Sequence, residues 1–243
     1  MTGATPARKL GEKLQVVIPM ITRVAAALTF VLCLAGNAPA QENAGSGPSQ
    51  DPPAGTYHLD PAHARLIFSV SHLGFSDYTA FFRKMDATLT FDPANPEAMT
   101  LQASVDPASV ETLYPDPAVD FNAIIAGESF LDAMAFPDMR FTSTRVRQTA
   151  PKEATVTGDL TLHGVTKSVS LRVRYNGGYA GHPLDPGGAR IGFSAEGAIF
   201  RSEFGMGFGI PVPGTTIGVG DLVTIRIEAE LLNPDAPGVQ VGP

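Results

Sequence analysis

Histidine, cysteine and arginine are the side chains here whose types and spacing could support catalysis or metal binding. The five histidines stand at His58, His63, His72, His163 and His182. No two are four residues apart, the spacing that would put a pair on one helical face, and no cysteine lies beside them. Zinc-finger and zinc-protease patterns are therefore missing, and no metal site is expected. The glycine-rich stretch Gly205-Met206-Gly207-Phe208-Gly209-Ile210-Pro211 lacks the spacing of a phosphate cradle and precedes no helical pattern, so a flexible apolar flap is the reading it supports. No G-x-S-x-G elbow for a nucleophilic serine is present either, and the chain is not expected to be an enzyme.

Individual polar residues remain to be placed. His72 shares its face with Phe68 and Val70, and a polar group on an apolar face needs a partner. Two readings stand: a core histidine bonded to backbone or an acid, or a contact to the polar end of a ligand. Arg83 falls on the face of Phe81 and Met85, and Arg201 follows Ile199-Phe200. Each is expected to close a barrel end by pairing with an acid such as Asp86, Asp132 or Glu203, or else to meet a lipid headgroup. His163-Gly164 joins two alternating runs and suits a tight turn, because glycine and, less often, histidine accept positive φ. Lys167, just after that turn, is expected to reach out of the barrel end.

These residues must be positioned by strands. Alternation of period two dominates from about Gly55 to Leu232, in the runs Leu66 to His72, Phe81 to Phe91, Met99 to Val105, Met139 to Val146, Val156 to Leu162, Val165 to Tyr175, Ile191 to Ala195 and Val223 to Leu231. Opposite faces carry Ser69, Ser71, Thr88, Thr90, Arg172, Arg174, Thr224 and Arg226, so one side of the sheet meets water. About eight such strands close most simply into an antiparallel barrel without edges, wide enough for side chains or one ligand. The inward sets include Ala87, Gly158, Ala195 and Ala229, which favours a cavity over a filled core. Pro117 to Met134 alone has helical spacing, and is predicted to form one or two short helices across a barrel end. The expected fold is thus all-β: an eight-stranded antiparallel lipocalin-like β-barrel with a short helical cap.

The flanks differ from this domain. Arg8, Lys9, Lys13 and Arg23 precede an apolar run, Val24 to Leu34, and then Ala38-Pro39-Ala40, the order of a cleavable secretory signal over residues 1–40. Met20 begins a shorter but complete leader, so the start is open between Met1 and Met20. Export places the protein in the periplasm. The only cysteine, Cys33, lies inside the leader, leaving a mature chain without thiols that its core alone must stabilise. Residues 41–54 read as a disordered linker and 233–243 as a flexible tail. Without the leader, 13 basic side chains oppose 23 acidic ones, and nucleic acid is excluded as a partner.

Three stretches resemble the YceI-like family: Phe68-Ser69-Val70-Ser71-His72-Leu73-Gly74, Gly158 to Lys167, and Arg201-Ser202-Glu203-Phe204-Gly205. Thr90 to Pro93, Ser109 to Thr112 and Phe136 to Thr144 support the likeness. The resemblance implies an exported lipocalin-like barrel, capped by helix, with a polyisoprenoid or quinone-like chain, or a fatty amide, in an apolar tunnel. It brings no catalytic residues and no required cofactor. This sequence departs from the family in its lid, where Phe121-Asn122 and Ile124-Ile125 replace a more charged stretch before Ser129-Phe130-Leu131-Asp132, and in Ser168, where a proline is common. The residues expected to meet the lipid are Phe68, Val70, His72, Phe82, Leu160, Leu162, Val169, Leu171 and Phe193 along the tunnel, with Phe130 and Phe208 at its ends. Transient membrane contact is expected, and monomer and homodimer both remain open. The rival reading is a structural or stress-response barrel acting through a membrane redox partner; a hydrolase built on the barrel is third.

Overall fold

The computed structural model describes residues 51–236 apart from Pro183 and Pro186. The expected signal peptide, the Met20 start, residues 41–50 of the linker and residues 237–243 of the tail lie outside this range. Ten strands follow in chain order: β1 (Gly55–His72), β2 (Ser76–Phe82), β3 (Met85–Phe91), β4 (Thr100–Val105), β5 (Val110–Glu111), β6 (Met139–Ala150), β7 (Glu153–Leu162), β8 (Val165–Tyr179), β9 (Ala189–Phe200) and β10 (Val219–Asn233). All pairings are antiparallel, and β10 pairs with β1 to close the sheet.

The ten strands make eight staves. β1 pairs with β3 over Gly55–His58 and with β2 over Leu66–His72, so β2 and β3 are two lengths of one stave broken at Arg83-Lys84. β4 and β5 relate in the same way, since β4 pairs with β3 and β5 with β2. A 3₁₀ turn at Pro107–Ser109 breaks that second stave. The result is a closed antiparallel barrel of eight staves with very little helix, as the alternation predicts.

The break at Arg83-Lys84 overturns the reading of Phe81 to Phe91 as one continuous run. Inward residues are Tyr78, Ala80 and Phe82 on β2, then Met85, Ala87, Leu89 and Phe91 on β3. Phe81 and Arg83 are therefore off the apolar face. Arg83 is exposed and its Nη1 donates to Glu111 at 3.2 Å, not to Asp86, Asp132 or Glu203. β1 also begins some ten residues before the expected Leu66. Its first half was hidden because Asp60-Pro61-Ala62-His63 interrupts the alternation, and the pairing with β10 shifts register there, between Leu59 and Ala64.

The cap holds one short helix, within the one or two predicted for Pro117 to Met134. Only α1 (Phe121–Ala126) is helical; the remainder of residues 113–138 is turns and coil. Asp120 caps α1 by accepting from Ala123 N at 3.0 Å, and the chain leaves the helix at Gly127. Because β6 pairs with β4 but not with β5, this segment covers the side of the barrel that β5 leaves unpaired. The flanks are also more ordered than expected. Asn233 is buried and its Oδ1 accepts from Asp235 N and Ala236 N, so Asn233–Ala236 pack on the barrel instead of belonging to a flexible tail. In the same way Pro52 is buried and Pro53 O accepts the hydroxyl of fully buried Tyr57 at 2.8 Å, so the disordered linker does not extend to Ala54.

Packing is concentrated at three places around the wall. Tyr57, Leu59, Leu89, Phe91, Ile191 and Leu231 form one cluster. Leu162, Ile199, Phe204 and Met206 form a second, and Phe82, Val105 and Val110 a third. Each fully buried side chain of this size contributes about 1.5–3 kcal/mol. Among the described residues no helix is long and apolar enough to cross a membrane.

Candidate functional site

The staves enclose a cavity of about 1040 Å³, at the upper end of the range for small-molecule sites. Its mouth lies at the end formed by the β1–β2 turn, the β9–β10 loop and the cap. There His72, Tyr78, Phe130, Phe208 and Val219 line it. The middle is walled by Phe68, Val70, Phe82, Leu160, Leu162 and Val169, and the deeper part by Ala87, Leu171, Ala195 and Phe193. At the far end Gln148, Lys152 and Glu153 contribute polar groups. All eleven residues expected to meet a ligand thus line one cavity. Phe130 and Phe208 meet edge to face at 5.2 Å, and Phe68 lies against Phe82 at 5.4 Å.

The polar residues of the mouth are placed differently from expectation. His72 is exposed on the cavity rim and its ring makes no hydrogen bond among the described residues, so it is not a bonded core histidine. Arg201 is 5% exposed but, among the described residues, pairs with no acid. Its Nε, Nη1 and Nη2 donate to the carbonyls of Gly220, Met206 and Val219 at 2.8, 2.7 and 2.8 Å. Burial pushes its pKa down, and Asp221 partly offsets this. Arg201 therefore ties the turn after β9 to the start of β10, and the ion pair with Glu203 is not formed. Gly158 is not part of the cavity wall: a Cβ there would lie 2.4 Å from the Phe141 ring, which fills the space. Lys167 is exposed, as expected, and His163 and Gly164 both have positive φ in the predicted turn. His163 Nδ1 also lies 3.1 Å from Phe204 O, joining the β7–β8 turn to the β9–β10 loop.

At the opposite end lies an ion cluster that sequence reasoning missed. Arg190 of β9 donates to Asp60 of β1 at 2.8 Å, to Glu230 of β10 at 2.5 Å and to Asp185 at 2.5 Å. Burial raises the Asp60 pKa, but hydrogen bonds from His63, Arg190 and the Ala62 N–H outweigh it and hold it at about 2. Arg190, then the Tyr179 hydroxyl, bring Asp185 down to about 2 as well. Asp60, His63 and Glu230 converge closely enough to suggest a metal, yet the Arg190 guanidinium already binds the carboxylates of two of them. Asp60 and His63, and Asp185 and Arg190, are near neighbours in sequence; Asp60, Arg190 and Glu230 are brought together only from β1, β9 and β10.

Comparison with known proteins agrees with this geometry. The profile of the YceI-like domain matches residues 57–231. The chain belongs to the YceI-like family. A UPF0312 protein of Pseudomonas savastanoi pv. phaseolicola (strain 1448A / Race 6) is 38% identical over 161 residues, covering 66% of this chain and 78% of that relative. Among solved structures, the Campylobacter jejuni YCEI protein superposes with a TM-score of 0.55 at 29% identity, covering 67% of this chain and 89% of the other. Burkholderia cenocepacia BcnA shares the fold, with a TM-score of 0.59 at 24% identity over 71% of this chain and 98% of its own.

The YceI-like stretches have structural duties here. Gly158 to Lys167 supplies the β7–β8 hairpin, and Arg201 to Gly205 the 3₁₀ turn whose left-handed Gly205 (φ 81) ends it. In the divergent lid, Asn122 Oδ1 accepts from the backbone N–H and hydroxyl of Thr112 at 2.8 and 2.6 Å, and its Nδ2 donates to Glu111 at 3.2 Å. Asn122 thus pins the cap to β5, and Phe121, Ile124 and Ile125 are left to face the cavity.

Proposed function

We propose that this YceI-like barrel binds and carries a long apolar lipid, polyisoprenoid or quinone-like, in the periplasm, without catalysing a reaction on it. The observation that carries this reading is the cavity of about 1040 Å³, whose wall is aromatic and aliphatic along its length and polar only at its two ends. A lipid chain of ~40 carbons gains on the order of tens of kcal/mol gross on leaving water, at ~0.8 kcal/mol per CH₂. A bilayer offers the same gain, so exchange between bilayer and tunnel is near balance and selectivity comes from tunnel length and width. The volume weighs against the rival of a structural barrel filled by its own side chains.

Native mass spectrometry with lipid extraction tests the proposal. Protein recovered from bacteria should carry one long-chain neutral lipid, and emptied protein should take up a polyprenol or ubiquinone. Consistently empty protein that takes up neither overturns the reading. Fractionation with N-terminal sequencing tests the location, since a product starting at Gln41 in the periplasmic fraction is expected.

A further inference from the structure

The exposed apolar side chains of this barrel are unevenly distributed. Among the described residues, every large hydrophobic residue that is well exposed belongs to the mouth end or its adjoining wall, except Leu184 on the β8–β9 loop. Phe75 stands on the β1–β2 turn at 83% exposure, Leu113 and Ile124 on the cap, and Phe208, Val212 and Ile217 on the β9–β10 loop. These segments touch one another. Leu73 N donates to Gly218 O at 2.7 Å, Val219 N to Gly209 O at 2.8 Å, and Phe208 meets Phe130 of the cap. Phe121 of the cap packs on Tyr78 of β2 at 5.8 Å, which completes a ring around the cavity mouth.

We propose that this ring is a docking surface for a lipid bilayer, and that it seats the mouth on the membrane while lipid moves between the two. This rests on the lipid-carrier reading above. Two observations favour a bilayer over a protein or a second copy of the chain. Ile124 and Phe208 are at once exposed on the rim and part of the cavity wall, so the apolar surface is continuous from the outside to the tunnel interior. A lipid tail crossing that rim stays out of water only if the rim is itself seated in acyl chains. The second observation is charge. The loops 73–78, 113–138 and 202–221 contain no lysine or arginine, while Asp77, Asp116, Asp120, Glu128 and Glu203 are exposed on them; the cations beside them are Lys167 after the β7–β8 turn and Arg140, which is paired with Asp138, so the rim is acidic on balance. Attachment is therefore by apolar insertion alone, and the surface it suits is neutral or zwitterionic; anionic lipid repels it.

Vesicle flotation tests this with the purified chain, its N-terminus checked by intact mass. The chain should float with phosphatidylcholine vesicles, and float less as phosphatidylglycerol replaces part of the phosphatidylcholine at low salt. The paired substitution Phe75→Glu and Ile217→Glu, at residues outside the cavity wall, should lower the partition coefficient at least about tenfold. Leu184→Glu, at the other end, should leave it unchanged. Lipid retained in the tunnel, read by native mass spectrometry, should be equal in all three proteins. A chain that stays unbound with phosphatidylcholine overturns the proposal, as does a paired variant that floats like the parent, or stronger flotation with phosphatidylglycerol. So does a dimer seen by light scattering that the paired substitution dissolves while vesicle binding is absent. A barrel that is empty yet floats through this rim supports the docking surface and refutes the carrier reading.

Discussion

Replacing Arg190 with methionine should damage the barrel more than any other single change at its far end. The guanidinium joins three strands or loops, and its side chain is only 14% exposed, with Asp60 at 12% and Asp185 at 28%. Methionine keeps the apolar stem but strands three carboxylates facing one another. Removing one partner of a buried pair costs about 3–5 kcal/mol, against a total stability of about 5–15 kcal/mol. For a domain of this size the melting temperature should fall by roughly 6–20 °C. The loss must also depend on pH. Asp60 and Asp185 have folded pKa values of about 2, below the ordinary 3.8, so each stabilises the parent fully above the unfolded value. That contribution, about 2 kcal/mol per carboxylate and less than double for two that share one cation, is lost as pH falls from about 4 to about 2. In Arg190→Met the carboxyls titrate higher, so acid relieves the variant while it weakens the parent. Urea unfolding followed by far-ultraviolet circular dichroism at pH 7 and pH 2.5 measures both stabilities. A gap below about 1 kcal/mol at pH 7, or an equal gap at pH 2.5, refutes the assignment of this cluster as the clasp of the far end.

Three further outcomes follow from the same geometry. Ala195→Phe projects a ring into the cavity, so the usual penalty of about 1–3 kcal/mol for overpacking should shrink to under about 1, while the lipid carried per chain, by native mass spectrometry, drops. A large loss of stability with unchanged lipid would show the space to be filled. Arg201→Met leaves the carbonyls of Gly220, Met206 and Val219 without their donors and should cost about 3 kcal/mol or more, read by thermal unfolding; a change under 1 kcal/mol would deny the arginine its stapling role. Gly158→Ala should cost about 1–3 kcal/mol by pressing its methyl on the Phe141 ring and the Thr142 carbonyl, and Gly158→Ala combined with Phe141→Leu should recover part of that loss.

Local alternation places residues correctly where a strand keeps one period throughout. On β7 and β8 the alternation of Leu160, Leu162, Val169 and Leu171 places each of them on the cavity wall, and the His163-Gly164 pair marks the turn between. Where a stave is broken, the pattern misleads. Phe81 and Phe82 are adjacent and both aromatic, and only the interruption at Arg83-Lys84 decides that Phe82 faces inward. Likewise Asp60 and His63 fall outside the runs that alternation picks out, because the bulge that seats them disturbs the period of β1.

The sequence by itself determined the antiparallel barrel, the interior face of its unbroken strands and the family to which it belongs, because side-chain alternation along a strand is a local property with a period of two. Tertiary structure decided what those faces enclose. Arg190 reaches Asp60 across 130 residues of chain and Glu230 across 40, and only the register of β1, β9 and β10 brings them together. The register of β6 and β7 places the Phe141 ring over Gly158, while Ala87 and Ala195 are left facing open space, so one small residue is packed and the others make a cavity. Alternation specifies the side of the sheet on which a residue stands; closure of the barrel specifies its neighbours, and the volume left between them follows from that closure.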